Sequence, residues 1–459
     1  MSWNTSLFKA FILMKERKSL YSTDVLHFPV GVVFKQCEDR WVVVSPKTAN
    51  WIVLESEGQK TLLRSLMDGQ TIGDVYMEAE RIGMLDVYMR LLAAISARQF
   101  ASVDEIPAVD VIQDFETLNI YLTNACNLRC SHCFVKAGKA LANELSESEW
   151  SGVLQNFFSL GGKAVTITGG EPTLRRDFAS IVQKAFAIGL KVTILTNGIL
   201  WNEQMIHDIS HSISEVQISL DGVDEKTNAQ IRGEGYFEKI KNTIIAFANA
   251  GVHTSVSTTF TLETMDESTS ERYQKLITSI KEQCNSLVHF KLSTKILPGR
   301  DISYTAEQND RYLVEINKIQ DMANVVNTYD FFMENHSPNT IIKNCGYGGL
   351  SIRADGEVFY CNRILDLDSC GNIRDKSLEY YIQQGKVAYE KTDVNHIYPC
   401  RDCFLKYICG GGCRIDDCDF KGRIPDNLDK LQNVTCTPEK KQRLLRKMID
   451  SYMYKYHFK

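Results

Sequence analysis

No apolar run in this 459-residue chain approaches the roughly 20 residues that cross a bilayer, which argues against an integral membrane protein. Nor do residues 1–20 hold the apolar core of a secretory signal, since charged and apolar residues alternate there. An excess of basic charge is also missing: 52 Lys and Arg against 57 Asp and Glu give a formal net charge of −5. A nucleic-acid-binding surface usually shows a surplus of cations. The expected setting is a reducing cytoplasm, with neither membrane nor nucleic acid as partner.

Cysteine is what the chain has in plenty. Its 14 cysteines cluster at short fixed spacings. In a reducing compartment this favours metal or cluster ligation over a disulfide framework. Only Cys37 and Cys284 stand apart, and both read as buried small apolar residues. With 44% hydrophobic and 24% charged residues the composition is that of a globular protein. The length suits two or three domains.

Residues 26–100 read as strand, strand, then helices: 31–34 and 41–44 are β-rich, and helices cover 58–67 and 85–99. A linker containing Pro107 spans 102–115. Beyond it, strands at 118–122, 164–168, 191–196, 215–220, 252–260 and 287–292 alternate with amphipathic helices at 147–159, 177–188, 203–211, 237–250 and 271–283. Six strand–helix repeats predict an α/β fold with a parallel sheet, an open partial (β/α)6 barrel. The stretch 345–436 is rich in glycine and cysteine, with short strands at 350–353 and 358–360. Such a segment needs staples, which cluster ligation can supply.

The loop after the first barrel strand carries Cys126, Cys130 and Cys133. Three thiolates can hold three corners of a cubane and leave the fourth iron without a protein ligand. A structural zinc site is the alternative, but such sites usually take four protein ligands, and no fourth is evident nearby. The spacing resembles the motif of the radical S-adenosylmethionine (SAM) superfamily, with His132 where that family usually has an aromatic residue. The resemblance implies that the amino and carboxylate groups of SAM chelate the open iron. Thr168, Gly169, Gly170, Glu171 and Pro172 resemble the family's segment that contacts the methionine amino group. Its glycines permit close backbone approach, and Glu171 offers an acceptor for the ammonium. By the same resemblance Ser219 and Arg232 hold the SAM carboxylate and ribose, and Asn197 and Asp221 line the site. For Asn197 and Asp221 a loop or capping role is the alternative. All of these residues follow strands, at the barrel face where (β/α) enzymes place their chemistry.

A second cysteine set resembles the SPASM domain of radical SAM peptide-modifying enzymes, which implies two auxiliary clusters. Cys400, Cys403, Cys409 and Cys436 would ligate one, and Cys345, Cys361 and Cys413 the other, which is one protein ligand short. Cys370 and Cys418 are extra thiols that either close it or pack nearby; zinc ribbons are the alternative for the region. Residues 41–71 resemble the PqqD-like peptide-recognition domain, winged-helix-like and α+β, which implies capture of an extended leader by strand addition. A packing or dimerisation domain is the alternative.

The resemblances together imply a PqqD-like domain at 1–105, the radical SAM barrel at 115–325, the SPASM domain at 340–440 and a C-terminal helix at 441–459. The implied cofactors are three [4Fe–4S] clusters and SAM. The implied partners are a ribosomally made precursor peptide with its leader and a cellular reductant such as flavodoxin or ferredoxin. The expected activity is that of a maturase of the sactipeptide and ranthipeptide type, which installs a cysteine sulfur-to-carbon thioether through a 5′-deoxyadenosyl radical. Carbon–carbon crosslinking, activation of a protein such as a sulfatase, and a non-catalytic electron-transfer or zinc protein are the competing readings.

Overall fold

The computed structural model describes residues 21–102, 109–110, 115–285, 288–323, 328–418, 420–421 and 431–456. The readings made for residues 1–20 and for most of the linker, Pro107 included, lie outside them.

Strands β1 (Val33–Cys37), β2 (Arg40–Ser45) and β3 (Asn50–Leu54) form an antiparallel sheet in sequence order. β3 is absent from the sequence expectation because all five of its residues are buried, so it shows no alternation. Helices follow at Glu57–Met67, Ile72–Arg81 and Leu85–Arg98. The middle one was also not anticipated; its start is marked by a capping box between Thr71 and Asp74.

The six expected barrel strands are present: β4 (Thr117–Tyr121), β5 (Ala164–Thr168), β6 (Lys191–Thr196), β7 (Glu215–Ser219), β8 (His253–Thr258) and β9 (Val288–Leu292). All pair in parallel, in the order β9-β8-β7-β6-β5-β4. Helices cross back between them, as a parallel sheet requires. One of these, Glu225–Arg232, was not expected; Asp224 and Thr227 cap it, and it delivers Arg232 at its last turn.

Two long-range pairings were not part of the sequence reading. The short strands β10 (Ser351–Ile352) and β11 (Val358–Phe359) do not form a separate sheet. β10 pairs in parallel with β4, so the cysteine-rich region extends the barrel sheet. The C-terminal helix, Pro438–Tyr456, belongs with the N-terminal sheet: Leu445, Met448, Ile449 and Tyr452 share one core with Val43, Trp51 and Leu63. The Trp51 and Tyr452 rings lie 5.8 Å apart. Each such large side chain contributes about 1.5–3 kcal/mol on burial, so chain ends distant in sequence stabilise one unit. Among the described residues no helix is long and apolar enough to cross a membrane.

Candidate active site and cysteine groups

The cysteine loop is held at the C-terminal ends of β4 and β5 by main-chain bonds. Gly170 and Glu171 donate their N–H groups to the carbonyls of Thr123 and Ala125, both at 2.7 Å. Gly170 permits that approach because a Cβ there would lie 2.0 Å from the Ala125 carbonyl oxygen. Cys126 donates to the Gly138 carbonyl and Gly138 to the Asn124 carbonyl, both at 2.9 Å, closing the loop on itself. Glu144 gathers the Asn124 N–H at 2.8 Å and the Leu141 N–H at 3.0 Å. From the far side, Asp301 donates its N–H to the Ser131 carbonyl at 2.8 Å, and Arg300 bonds the Ala137 carbonyl. Gly299 lies against this loop; a Cβ there would sit 2.6 Å from the His132 carbonyl carbon.

A cavity of about 360 Å³ opens at these strand ends. Cys126, Cys130 and Cys133 line it together with Gly170, Asn197, Ser219 and Arg232. The sequence expectation is thus gathered in one place for seven residues that lie far apart in the chain. Gly169, Glu171, Pro172 and Asp221 do not line the cavity. The Glu171 carboxylate is fully buried and accepts from the Asn197 N–H (2.8 Å), the Thr196 hydroxyl (2.8 Å) and the Thr173 hydroxyl (2.7 Å). Burial pushes its carboxyl above the usual range, against those donors. Glu171 therefore ties the β5 and β6 strand-end turns together.

Asp221 is likewise buried. It accepts two 2.7 Å contacts from the Arg232 guanidinium and a 2.7 Å bond from the Thr259 N–H, and it lies 3.2 Å from His132 Nε2. Burial opposes its ionisation, but Arg232 and His132 outweigh it and hold the carboxyl at about 2. His132, which stands where an aromatic ring is usual, thus also contacts the carboxylate that holds Arg232. Asn197 both lines the cavity and donates to Asn127 Oδ1 at 2.8 Å, while its own Oδ1 accepts from the Ile199 N–H. Burial raises the Cys130 thiol to about 11, with Arg232 pulling the other way.

Sequence reasoning missed Glu144, Gly299, Arg300 and Lys295, which build or line this site. Gly299 and Arg300 follow the last barrel strand in a Pro-Gly-Arg turn, a local signal open to reading. Glu144 and Lys295 carry no such mark.

The C-terminal cysteines lie in two neighbourhoods. Cys400, Cys403, Cys409 and Cys436 line a second cavity, of about 470 Å³, with lysines at its rim. Burial pushes the Cys400 thiol to about 11, and its neighbours Cys436 and Cys409 add to the effect. Cys345, Cys361 and Cys413 are electrostatic neighbours of one another. Cys418, which burial raises to about 12, lies near both Cys400 and Cys345, between the groups. Cys370 is near Tyr347 and Tyr360, and Tyr347 also neighbours Cys361 and Cys345. Among the described residues no three His, Cys, Asp or Glu side chains close on a point suited to a single metal ion. The apparent outliers Cys37 and Cys284 are buried and half-buried in the two cores.

Known proteins resemble the chain over parts of it. It is 31% identical over 255 residues to the sporulation killing factor maturation protein SkfB of Bacillus subtilis (strain 168), covering 53% of this chain. The chain spans little more than half of that relative, 59% of its length. It is 25% identical over 358 residues to the AdoMet-dependent heme synthase of Oleidesulfovibrio alaskensis, covering 71% of this chain and 88% of that protein. A solved structure described as native anSMEcpe with bound AdoMet and Cp18Cys peptide shares the fold, with a TM-score of 0.52 and 18% identity over 75% of this chain and 99% of that one. Residues 120–276, which contain the cysteine loop and the ends of β4 to β8, match the model of the Radical SAM superfamily, so the chain carries a radical SAM domain, an enzyme domain.

Proposed function

We propose that this chain is a radical SAM maturase that acts on a ribosomally made precursor peptide and joins a cysteine sulfur to a carbon as a thioether. The observation that carries the reading is a three-thiol cavity at the strand ends together with one group of four and one of three further cysteines. The maturation role in the name of SkfB is in keeping with it.

In this reading Cys126, Cys130 and Cys133 hold the SAM-binding [4Fe–4S] cluster. Cys400, Cys403, Cys409 and Cys436 hold a second, and Cys345, Cys361 and Cys413 a third. The donor sets fit, because thiolates are the soft ligands that iron–sulfur clusters take. Once bound, the clusters and SAM supply the radical chemistry. The chain binds and orients. Arg232, fixed by Asp221, and the Ser219 hydroxyl face the cavity for a carboxylate and a ribose. Glu171 acts indirectly, by fixing Thr196 and Asn197. In the three-thiol group the remaining position falls to Cys418, Cys370 or a cysteine of the precursor. The edge of β1, which among the described residues pairs only with β2, offers a place for an extended leader. A flavodoxin- or ferredoxin-type reductant in the cytoplasm completes the reading.

Anaerobic reconstitution followed by reaction with a short cysteine-rich peptide tests this. Three cubanes require about twelve irons per chain. SAM should be cleaved to deoxyadenosine, and the peptide should lose the mass of two hydrogen atoms along with one alkylatable thiol. Loss of that mass with the thiol intact would point to a carbon–carbon crosslink. The heme-synthase likeness favours a second reading, in which a tetrapyrrole and no peptide stimulates SAM cleavage; that outcome would replace the first.

A further inference from the structure

Cys409 and Cys413 end one glycine turn, yet the first lines the four-cysteine cavity and the second neighbours Cys345 and Cys361. The Asp417 side chain, only 17% exposed, closes this turn. Its Oδ2 accepts from the Cys413 N–H at 2.7 Å. Gly412, at φ +74°, makes room for that bond, since a Cβ there would lie 2.2 Å from the same oxygen. The other oxygen serves the other group. Asp417 Oδ1 accepts from the Lys440 ammonium at 2.6 Å and from the Thr435 hydroxyl, which itself lies 2.8 Å from Lys440 Nζ. Thr435 precedes Cys436, and Lys440 lines the cavity with Cys400, Cys403, Cys409 and Cys436. Asn433 adds a second tie between the same segments: its Nδ2 donates to the Gly411 carbonyl at 2.8 Å, and its Oδ1 accepts from the Thr435 N–H at 3.1 Å.

We propose that Asp417 is a positioning residue shared by the two cysteine groups, one carboxylate oxygen fixing the Cys413 backbone and the other the segment that carries Cys436 and Lys440. The inference rests on the reading that both groups ligate iron–sulfur clusters. A cluster bound by either group immobilises its own ligands, and through Asp417 it holds a ligand segment of the other group in place. The entropy of ordering that segment is then already lost when the second cluster binds. The two groups therefore load cooperatively, with a coupling that is the same in both directions.

Counting clusters on single chains tests the coupling. Full-length protein with Cys126, Cys130 and Cys133 replaced by alanine leaves only these two groups to load. After reconstitution with limiting iron and sulfide, native mass spectrometry separates chains with no cluster, one and two. The product of the empty and doubly loaded fractions, divided by the square of the singly loaded fraction, has a ceiling for independent sites whatever their separate affinities. The expected value exceeds that ceiling by about tenfold. Asp417→Ala, with Asn433 still in place, should lower it by about threefold or more. A merely stabilising Asp417 would not lower it, because weaker folding makes the two sites depend on each other more. A value at or below the ceiling before Asp417 is replaced overturns the proposal, as does a value that Asp417→Ala leaves unchanged or raises. If Asp417→Ala fails to fold, Thr435→Val with Lys440→Met cuts the same link from the Cys436 side, and an undiminished value there overturns the proposal instead. Chains that never carry two clusters overturn the cluster reading and this inference with it. Two clusters that load independently overturn this inference alone.

Discussion

The two cysteine-bearing regions are built on opposite principles. The Cys126–Cys130–Cys133 loop sits on a six-strand parallel sheet whose core residues, such as Val165, Ile167, Val192 and Val216, are fully buried. Its backbone is tied to neighbouring turns at Thr123, Ala125 and Ser131, and closes on itself at Gly138. The described part of 345–436 has two strands of two residues, one 14-residue helix and turns of three to five residues. Side-chain bonds fill in for regular structure there: the buried Arg414 guanidinium alone serves the carbonyls of Thr392, Gly410, Gly412 and Lys343. In the proposed reading, the first site is a scaffold built by the sheet alone, while the second depends on its ligands for stability.

The largest expected effect breaks this contrast most directly. Replacing Cys126, Cys130 and Cys133 together by alanine should abolish deoxyadenosine formation and leave the melting temperature within a few degrees of the metal-free parent. Replacing Cys400 and Cys409 by alanine should instead lower the melting temperature of the reconstituted protein by about 5 °C or more, since ligand binding there is folding free energy. Calorimetry of the two variants side by side decides; the opposite order would mean that the barrel loop, not the C-terminal region, depends on its ligand.

An intermediate effect sharpens the claim that the barrel loop is preformed. A Cβ at Gly170 meets the Ala125 backbone, so Gly170→Ala should cost about 1–3 kcal/mol, read as a lower urea midpoint. Gly152, inside the helix Glu147–Ser159, meets nothing within 4 Å, so Gly152→Ala should stabilise by about 0.5–1 kcal/mol. Equal midpoints for the two variants would show that the loop and turn are free to move apart without cost.

The same contrast explains what the sequence made legible. Strands β5 and β6 match their expected bounds because buried and half-buried residues alternate along them and turns bound them. The cavity was legible because its residues sit at strand ends, a position the chain repeats six times. β3 was not, since a strand buried on both faces has no period. The pairing of β10 with β4 was not either: Ser351 and Asn119 are partners across the whole barrel sequence, and two-residue strands carry no register signal. The structural ties of Glu171 were not legible for a related reason. The segment Gly169–Glu171 shows an acceptor next to glycines, but two of the donors it serves, Thr196 and the Asn197 N–H, come from another strand end. The C-terminal helix was recognised as a helix, while its partner sheet lies at the other end of the chain.

The smallest expected effect concerns a surface tie between the two regions. Arg374, from the cysteine-rich region, donates to Glu149 Oε1 at 2.7 Å, and Glu149 Oε2 accepts from the Ser146 N–H at 2.8 Å in the capping box of the helix Glu147–Ser159. The Arg374 hydrogen bond, with the cap, holds the Glu149 carboxyl at about 2. A carboxyl depressed in the folded state adds stability above its unfolded range and loses it as pH falls towards that value, so the tie weakens only in acid. Both side chains are more than a third exposed, 39% and 38%, so solvent screens the pair. Arg374→Ala should therefore cost no more than about 1 kcal/mol, and the loss should shrink in high salt. Glu149→Ala removes the cap as well and should cost about 1 kcal/mol more, a difference that salt leaves in place. Urea midpoints of both variants at low and high salt read the two terms apart; identical losses would mean that the cap contributes nothing and that the contact between the regions is all that Glu149 provides.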